Sequence, residues 1–423
     1  MLLDRPQPLG LLPPPVGLLV LPPEVPDTLA DTVRTRGVWP DDLPEACRFI
    51  TKARAGEINA ARDLLAETAT RWARYDRFVL HPTPEAYSAL RTEVSGADRR
   101  LVDLAGFLLH LTDAPPSPDP DDPPILTALI HATHAGHALE QGRGDAALDA
   151  YERAVEVSSE EAPAFEARHR AIIAELRADR DGPSPQVAHA FRTAIDALKA
   201  TDLDVVRAQA LLQCGMVYHD LAGDRRGPLK EAVNCYQDAL RVFTRDDHPE
   251  PFALAQNNLG LAYLAMPLAS ADDKLRIAVA VQALREARSV YDPETHPDAW
   301  ASTTVNLANA LQRAPTSTPD EHLWQAVHLY EDVLKVRTQA SDPAGYARVV
   351  ANQGNALAHL GAFAEAVPRL EEAQALFSAN GLDDAVKALQ GTLDEIRTRI
   401  DAAPSSSEST AANPHGASRE TTV

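Results

Sequence analysis

The sequence predicts an all-α protein built from repeated helical hairpins, and three observations predict it. Aromatic residues make up only 5% of the chain against 45% hydrophobic residues in total. That balance, rich in Ala and Leu, favours many small helix–helix contacts over a β core built from large rings. From Ile125 to about Ile400, helical patterns alternate without a credible strand, punctuated by Gly142-Arg143-Gly144, Asp181-Gly182-Pro183, Gly223-Asp224 and Gly361. Finally, one segment recurs at nearly constant spacing, which at 423 residues points to an elongated array or several domains rather than one core.

Taken in order, residues 1–26 are rich in Pro and Leu. Such a composition gives extended, polyproline-like backbone with sticky apolar side chains, free to pack along the helices or to dangle. Their apolar run Gly17-Leu18-Leu19-Val20-Leu21 is broken by Pro13-Pro14-Pro15 and Pro22-Pro23, far short of the ~20 residues of a membrane helix. It also lacks the basic start of a secretory signal. Residues 27–113 turn helical, with Leu43, Ala46, Cys47 and Ile50 on one face and Ala60, Leu64 and Leu65 continuing after Gly56, as in a degenerate hairpin or two. Residues 114–124, APPSPDPDDPP, admit neither helix nor central strand because each Pro lacks a donor and fixes φ, so the main boundary is expected there. Residues 125–400 form the repeat array. Residues 401–423 are small and polar without periodicity and read as a disordered tail.

The repeat carries most weight. AQNNLGLAYLAMP from Ala255 aligns with TTVNLANALQRAP from Thr303, so that Asn258, Leu259, Ala262 and Pro267 fall on Asn306, Leu307, Ala310 and Pro315, 48 residues on. VVANQGNALAHLG from Val349 follows 46 residues later, and upstream Gly215 and Tyr218 precede Gly260 and Tyr263 by 45. A second helix follows each with Ala232, Tyr236, Ala239; Ala280, Leu284, Ala287; Ala326, Tyr330, Val333; Ala366, Leu370, Ala373; and a fifth copy in Ala147, Tyr151, Ala154. Small residues recur where helices approach closely and a bulky one plugs the gap. Pro249, Pro251, Pro297 and Pro343 stand where a helix begins, where a missing N–H costs nothing. Phe252, Trp300 and Tyr346 follow at matching points and read as wedges between repeats.

These motifs resemble the tetratricopeptide repeat, which carries Gly or Ala in its first helix and an Ala, aromatic, Ala series in its second. The period exceeds that family's usual ~34 residues. The excess lies in segments such as Met266 to Ile277 and Ala314 to Trp324, and the joint motifs are HPEPFA, HPDAWA and DPAGYA. On these features the chain looks like the long-period tetratricopeptide arrays of bacterial CHAT-associated proteins, with some likeness to kinesin light chain repeats. The resemblance is specific over Leu203 to Leu376 and implies a right-handed superhelical solenoid that binds protein. No CHAT effector domain is recognisable, so no activity is carried over.

Function classes narrow accordingly. A formal charge of −21 and a pI near 5.0 disfavour nucleic acid and anionic membranes, and suit a basic partner. Cys47, Cys214 and Cys235 have no CxxC spacing, as expected of buried free thiols in a reducing, cytoplasmic setting. No phosphate loop, HExxH or nucleophile elbow is present, so neither catalysis nor a cofactor is expected. His131, His134 and His137, with His110 nearby, invite a metal reading, but the triplet spreads over about 120° of helix. His131 and His134 fall instead on hairpin core positions. Arg71, Arg74 and Arg77 with Trp72 and Tyr75 read as a solvated helix face. The groove candidates are Asn258, Asn306 and Asn352, recurring at one position of the first helix, and Asn309 and Asn355 one turn on, with Arg348 four residues before Asn352. By resemblance this face lines a concave groove whose amides clamp an extended peptide, and structural capping is the competing role. Gln213 and Leu261 break the pattern, and the family's clamp lysine is absent. Two functions remain: a non-catalytic scaffold binding a peptide or protein partner, or an accessory subunit of a bacterial enzyme system, biosynthetic or defensive, that senses a ligand or holds a catalytic partner.

Overall fold

In a computed structural model of the chain, residues 2–3, 5, 7–158, 160–223, 225–267, 273–315 and 318–402 are described. Among them are 19 α-helices and no strand. Of the tail expected at 401–423, residues 401–402 end the last helix, and the remainder, with parts of the two segments that lengthen the repeat, lies outside the described residues. Two compact units are present, Met1–Val290 and Tyr291–Val423.

The first unit opens with α1 (Asp27–Arg36), α2 (Arg48–Arg54), α3 (Ile58–Leu65), α4 (Arg71–Leu80), α5 (Pro84–Glu93) and α6 (Gly96–Leu108). Paired helices follow: α7 (Pro124–Glu140) with α8 (Gly144–Ser158), α9 (Pro163–Asp181) with α10 (Pro185–Leu198), α11 (Asp204–Ala222) with α12 (Arg226–Ala239), and α13 (Pro249–Ala265) with α14 (Asp273–Arg288). The second unit pairs α15 (Pro297–Arg313) with α16 (Pro319–Val336) and α17 (Pro343–His359) with α18 (Phe363–Ala379), and ends in α19 (Asp383–Ala402) packed on α17 and α18.

One packing rule runs through both units. Five of the six first helices, α7, α9, α13, α15 and α17, begin with Pro, whose fixed φ suits a first turn. Counting from each helix start, the same position holds Ala135, Ala174, Gly215, Gly260, Ala308 and Gly354, all buried. A methyl added to Gly215 would stand 2.5 Å from the ring of Tyr236; on Gly260 or Gly354 it would meet Leu284 or Leu370 at 2.8 Å. The small residue of the first helix is therefore the socket for the bulky residue of the second. This register adds a copy that the sequence pattern does not reveal: Val187, Phe191 and Ala194 of α10 are buried where the motif has Ala, Tyr and Ala. Both substitutions keep the packing while erasing the letters.

The Pro/Leu-rich N-terminus is part of the first core. Leu9, Leu11, Leu18, Leu19, Val20 and Leu21 are buried in one cluster with side chains from α1 to α9. An extended backbone buried this way must find partners for its polar groups. Asp98 accepts from the Leu2 and Leu3 amides at 2.8 and 3.2 Å, Asp76 Oδ1 from Val20 at 3.0 Å, and Gln7 Oε1 from Leu21 at 2.7 Å, while the Tyr75 hydroxyl donates to the Leu18 carbonyl. Asp76 is fully buried, with Oδ2 unpartnered, and desolvation holds its carboxyl well above the ordinary range.

Residues 114–123 are non-helical, as their prolines require, yet the core continues across them to Phe165. Asp122 accepts from Arg100 Nε at 2.6 and 2.7 Å. Prolines exclude helix, not burial, and the division into compact units falls at Val290/Tyr291 rather than at this segment. All three cysteines are free; Cys47 is pushed up to about 11 by burial, and Cys214 is raised chiefly by its hydrogen bond with Cys235.

Candidate partner-binding site

The asparagines separate into distinct roles. Within the second unit, Asn352 Nδ2 donates to Asn309 Oδ1 at 3.2 Å, so facing first helices bring these two together. Asn309 Oδ1 also accepts from the Tyr330 hydroxyl at 2.6 Å, and that hydroxyl accepts from Gln312 Nε2 at 2.7 Å. Burial pushes the Tyr330 hydroxyl up, so it stays a donor. Asn309 thereby ties the α15–α16 hairpin to α17, and it is half-buried.

Asn352 and Asn355 line a cavity of about 390 Å³ with Gln312 and His359 from the two first helices and Thr392, Glu395 and Arg399 from α19. A second cavity of about 530 Å³ is lined by Asn309, Gln312, Arg313, Leu323 and His359. Gln312 and His359 border both, which makes one polar trough along α15, α17 and α19. The last helix can form its wall because Leu389, Leu393 and Ile396, spaced to share one stripe, are buried, leaving Thr392, Glu395 and Arg399 on the adjoining face. The trough holds amide donors and acceptors beside the guanidiniums of Arg313 and Arg399 and a single carboxylate, Glu395. Although the whole chain is acidic, cationic side chains outnumber the carboxylate at this surface, and local charges dominate within a Debye length.

The other candidates lie elsewhere. Asn306 is half-buried and already partnered. Arg348 is exposed one turn before Asn352, without an ion pair among the described residues, and does not line the trough. Asn258 belongs to the first unit and accepts from Asn257 at 3.2 Å. Periodicity missed Gln312, Arg313, Leu323 and His359, which lie within the hairpins but do not recur from copy to copy, and the α19 residues Thr392, Glu395 and Arg399, which follow the last repeated motif.

The histidine cluster resolves into separate contacts. His134 Nε2 pairs with the Pro116 carbonyl at 2.9 Å, and His137 stands edge-on to Phe107 with ring centroids 5.2 Å apart. His131 and His134 are half-buried rather than core, because the inward position is taken by Ala135; burial lowers the His131 pKa. Among the described residues no group of His, Cys, Asp or Glu is placed to hold a metal. His110 closes α6 in the left-handed region, φ 62°. The Arg71, Arg74, Arg77 patch is engaged internally: Arg74 pairs with Glu93 at 2.8 Å, Arg77 donates to the Leu65 and Ala66 carbonyls, and Tyr75 is buried. Among the described residues no helix is long and apolar enough to cross a membrane.

No protein-family model and no curated protein matches the chain. Solved structures do match. A STAND signal-transduction ATPase with a tetratricopeptide repeat sensor, from Pyrococcus horikoshii, is 11% identical over 81% of this chain and 57% of its own, with a TM-score of 0.52. This chain thus spans little more than half of that protein. PilF of Pseudomonas aeruginosa is 14% identical over 63% of this chain and 97% of its own, TM-score 0.42. A Rap protein complexed with competence and sporulation factor is 13% identical over 84% and 96%, TM-score 0.40. At these identities the likeness is one of fold: the paired helices are hairpins of the tetratricopeptide type.

Proposed function

We propose that the chain is a non-catalytic interaction scaffold whose second unit takes an extended peptide, or an extended segment of a protein partner, in the trough along α15, α17 and α19. The observation that carries this reading is the composition of the trough: Gln312, Asn352 and Asn355 offer amides to a peptide backbone, and Arg399 and Glu395 stand at the same cavity to read charge. Two guanidiniums against one carboxylate favour a segment bearing Asp or Glu. Nothing in the trough has the arrangement of a nucleophile with its base, which supports binding over catalysis.

The test is selection of peptides from a random displayed library on the full chain, followed by titration against variants. Asn352→Ala with Asn355→Ala should leave the melting temperature within a few degrees, since half-exposed amides contribute little, yet weaken selected peptides by about tenfold or more. Arg399→Gln should weaken acidic peptides in particular. Peptides that bind wild type and both variants equally would remove the trough from the function.

A further inference from the structure

In the first unit, the face of α7 equivalent to the trough face of α17 looks into a different cavity. Counted from the initiating prolines, Thr133, Gly136 and Glu140 of α7 occupy the places of Asn352, Asn355 and His359 in α17. They line a space of about 340 Å³ roofed by the N-terminal segment, with Leu12, Pro13, Pro14 and Leu18 above and Phe107, Leu129, Arg168 and His169 at the sides.

Three features make this a built site. Gly136 stands where later first helices carry Glu175, Met216, Leu261, Asn309 and Asn355, and a methyl placed on it would meet nothing within 4 Å. The cavity exists because that side chain is missing. His169, only 6% exposed, pairs its Nδ1 with the Phe165 carbonyl at 2.7 Å, which makes Nδ1 the protonated nitrogen. Its Nε2 is then a lone-pair acceptor with no partner among the described residues, on a ring lining the cavity; burial lowers the pKa to about 4, so the ring is neutral at pH 7. Arg168 donates Nη1 to the Leu11 carbonyl at 3.1 Å and forms no ion pair among the described residues, leaving its guanidinium beside the cavity to face a π system.

We infer that this cavity, roofed by the N-terminal proline-rich segment, is a binding site for a small aromatic compound that carries one N–H or O–H donor, received by His169 Nε2. The volume lies at the small end of the ~300–1,000 Å³ range of ligand pockets, room for one fused bicycle rather than a peptide. Apolar walls supply affinity, and the buried His169 acceptor supplies orientation: a ligand without a donor leaves that nitrogen unpaired once the cavity is filled.

The probes are indole and 1-methylindole, titrated calorimetrically into the full chain, with nitrogen-15 histidine spectra recorded in parallel. Indole should bind, 1-methylindole should bind about tenfold or more weakly, and the His169 Nε2 resonance should shift with indole alone. Gly136→Met, which fills the cavity with a side chain the fold carries at the equivalent Met216, should keep the melting temperature and weaken indole about tenfold or more. Failure of indole to bind, equal affinity for the two probes, an unmoved His169 resonance, or full indole affinity in a folded Gly136→Met variant would each overturn the assignment. If Gly136→Met does not fold, the probe comparison and the His169 resonance decide alone.

Discussion

The same helix face meets two fates in the two units. In Met1–Val290 the face of α7 bearing Thr133 and Gly136 lies under the chain's own N-terminal segment, with Glu140 exposed at its edge, and that segment buries Leu9, Leu11 and the run Leu18 to Leu21. In Tyr291–Val423 the equivalent face of α17, with Asn352, Asn355 and His359, borders an open polar trough walled by α19. Hairpin packing is common to both: Tyr236 fills the socket at Gly215, as Leu370 does at Gly354. What surface this hairpin array exposes is therefore decided less by its repeats than by what each end lays across them.

The strongest way to break the comparison is to remove the cover. Deleting residues 2–26 strips from the core a set of buried aliphatic side chains worth about 1.5–3 kcal/mol each. That exceeds the stability of an ordinary domain. Calorimetry should show the transition of the first unit abolished while helical signal from the second survives; an unaltered thermogram would mean the segment is an ornament.

Next come the sockets, which should behave alike in both units. Tyr236→Ala should cost about 3–5 kcal/mol, as for other large core rings. Ala326→Phe, at a fully buried position of α16, should cost about 1–3 kcal/mol by overpacking. Chemical denaturation midpoints check both, and a neutral result at either site would break the shared register. In the second unit, Asn309→Ala should destabilise by about 1 kcal/mol or more through loss of the Tyr330 contact, unlike Asn352→Ala.

Titration sharpens the contrast, because the buried acid and imidazole belong to the first unit. Asp76 has its folded pKa raised above the ordinary 3.8, so its contribution is fully present below that value and is lost as pH rises through the folded pKa. His169 has its folded pKa lowered to about 4 from 6.5, so its contribution is present above 6.5 and is lost as pH falls toward 4. Asp76→Asn should therefore gain stability relative to wild type as pH rises, and melting curves of both at several pH values measure it. A constant difference across that range would mean Asp76 is not held neutral. At the small end, Glu331→Gln, on an exposed residue of α16, should change stability by less than about 0.5 kcal/mol.

The hairpins were legible in the sequence because their sockets need Gly or Ala and their plugs need Tyr or Leu, a demand repeated at Ala232, Tyr236 and Ala239 and again at Ala366, Leu370 and Ala373. The α9–α10 pair escaped because Val187 and Phe191 satisfy the same volumes with other letters. Residues 1–26 could not be placed from composition, since their burial depends on distant acceptors, Asp76 and Asp98, which no local pattern announces. Of the candidate site, periodicity marked Asn309, Asn352 and Asn355. It could not show that Asn309 is spoken for by Tyr330, nor that Glu395 and Arg399 complete the trough, because neither lies within a repeat.

The most direct test of the two fates places the same photocrosslinking amino acid at equivalent positions, Gly136 in α7 and Asn355 in α17, and exposes each variant to a saturating concentration of a peptide selected on the wild-type chain. Crosslinks from position 355 and none from position 136 are expected. Equal yields from both, or yields from 136 alone, would contradict an open trough in the second unit and a covered face in the first.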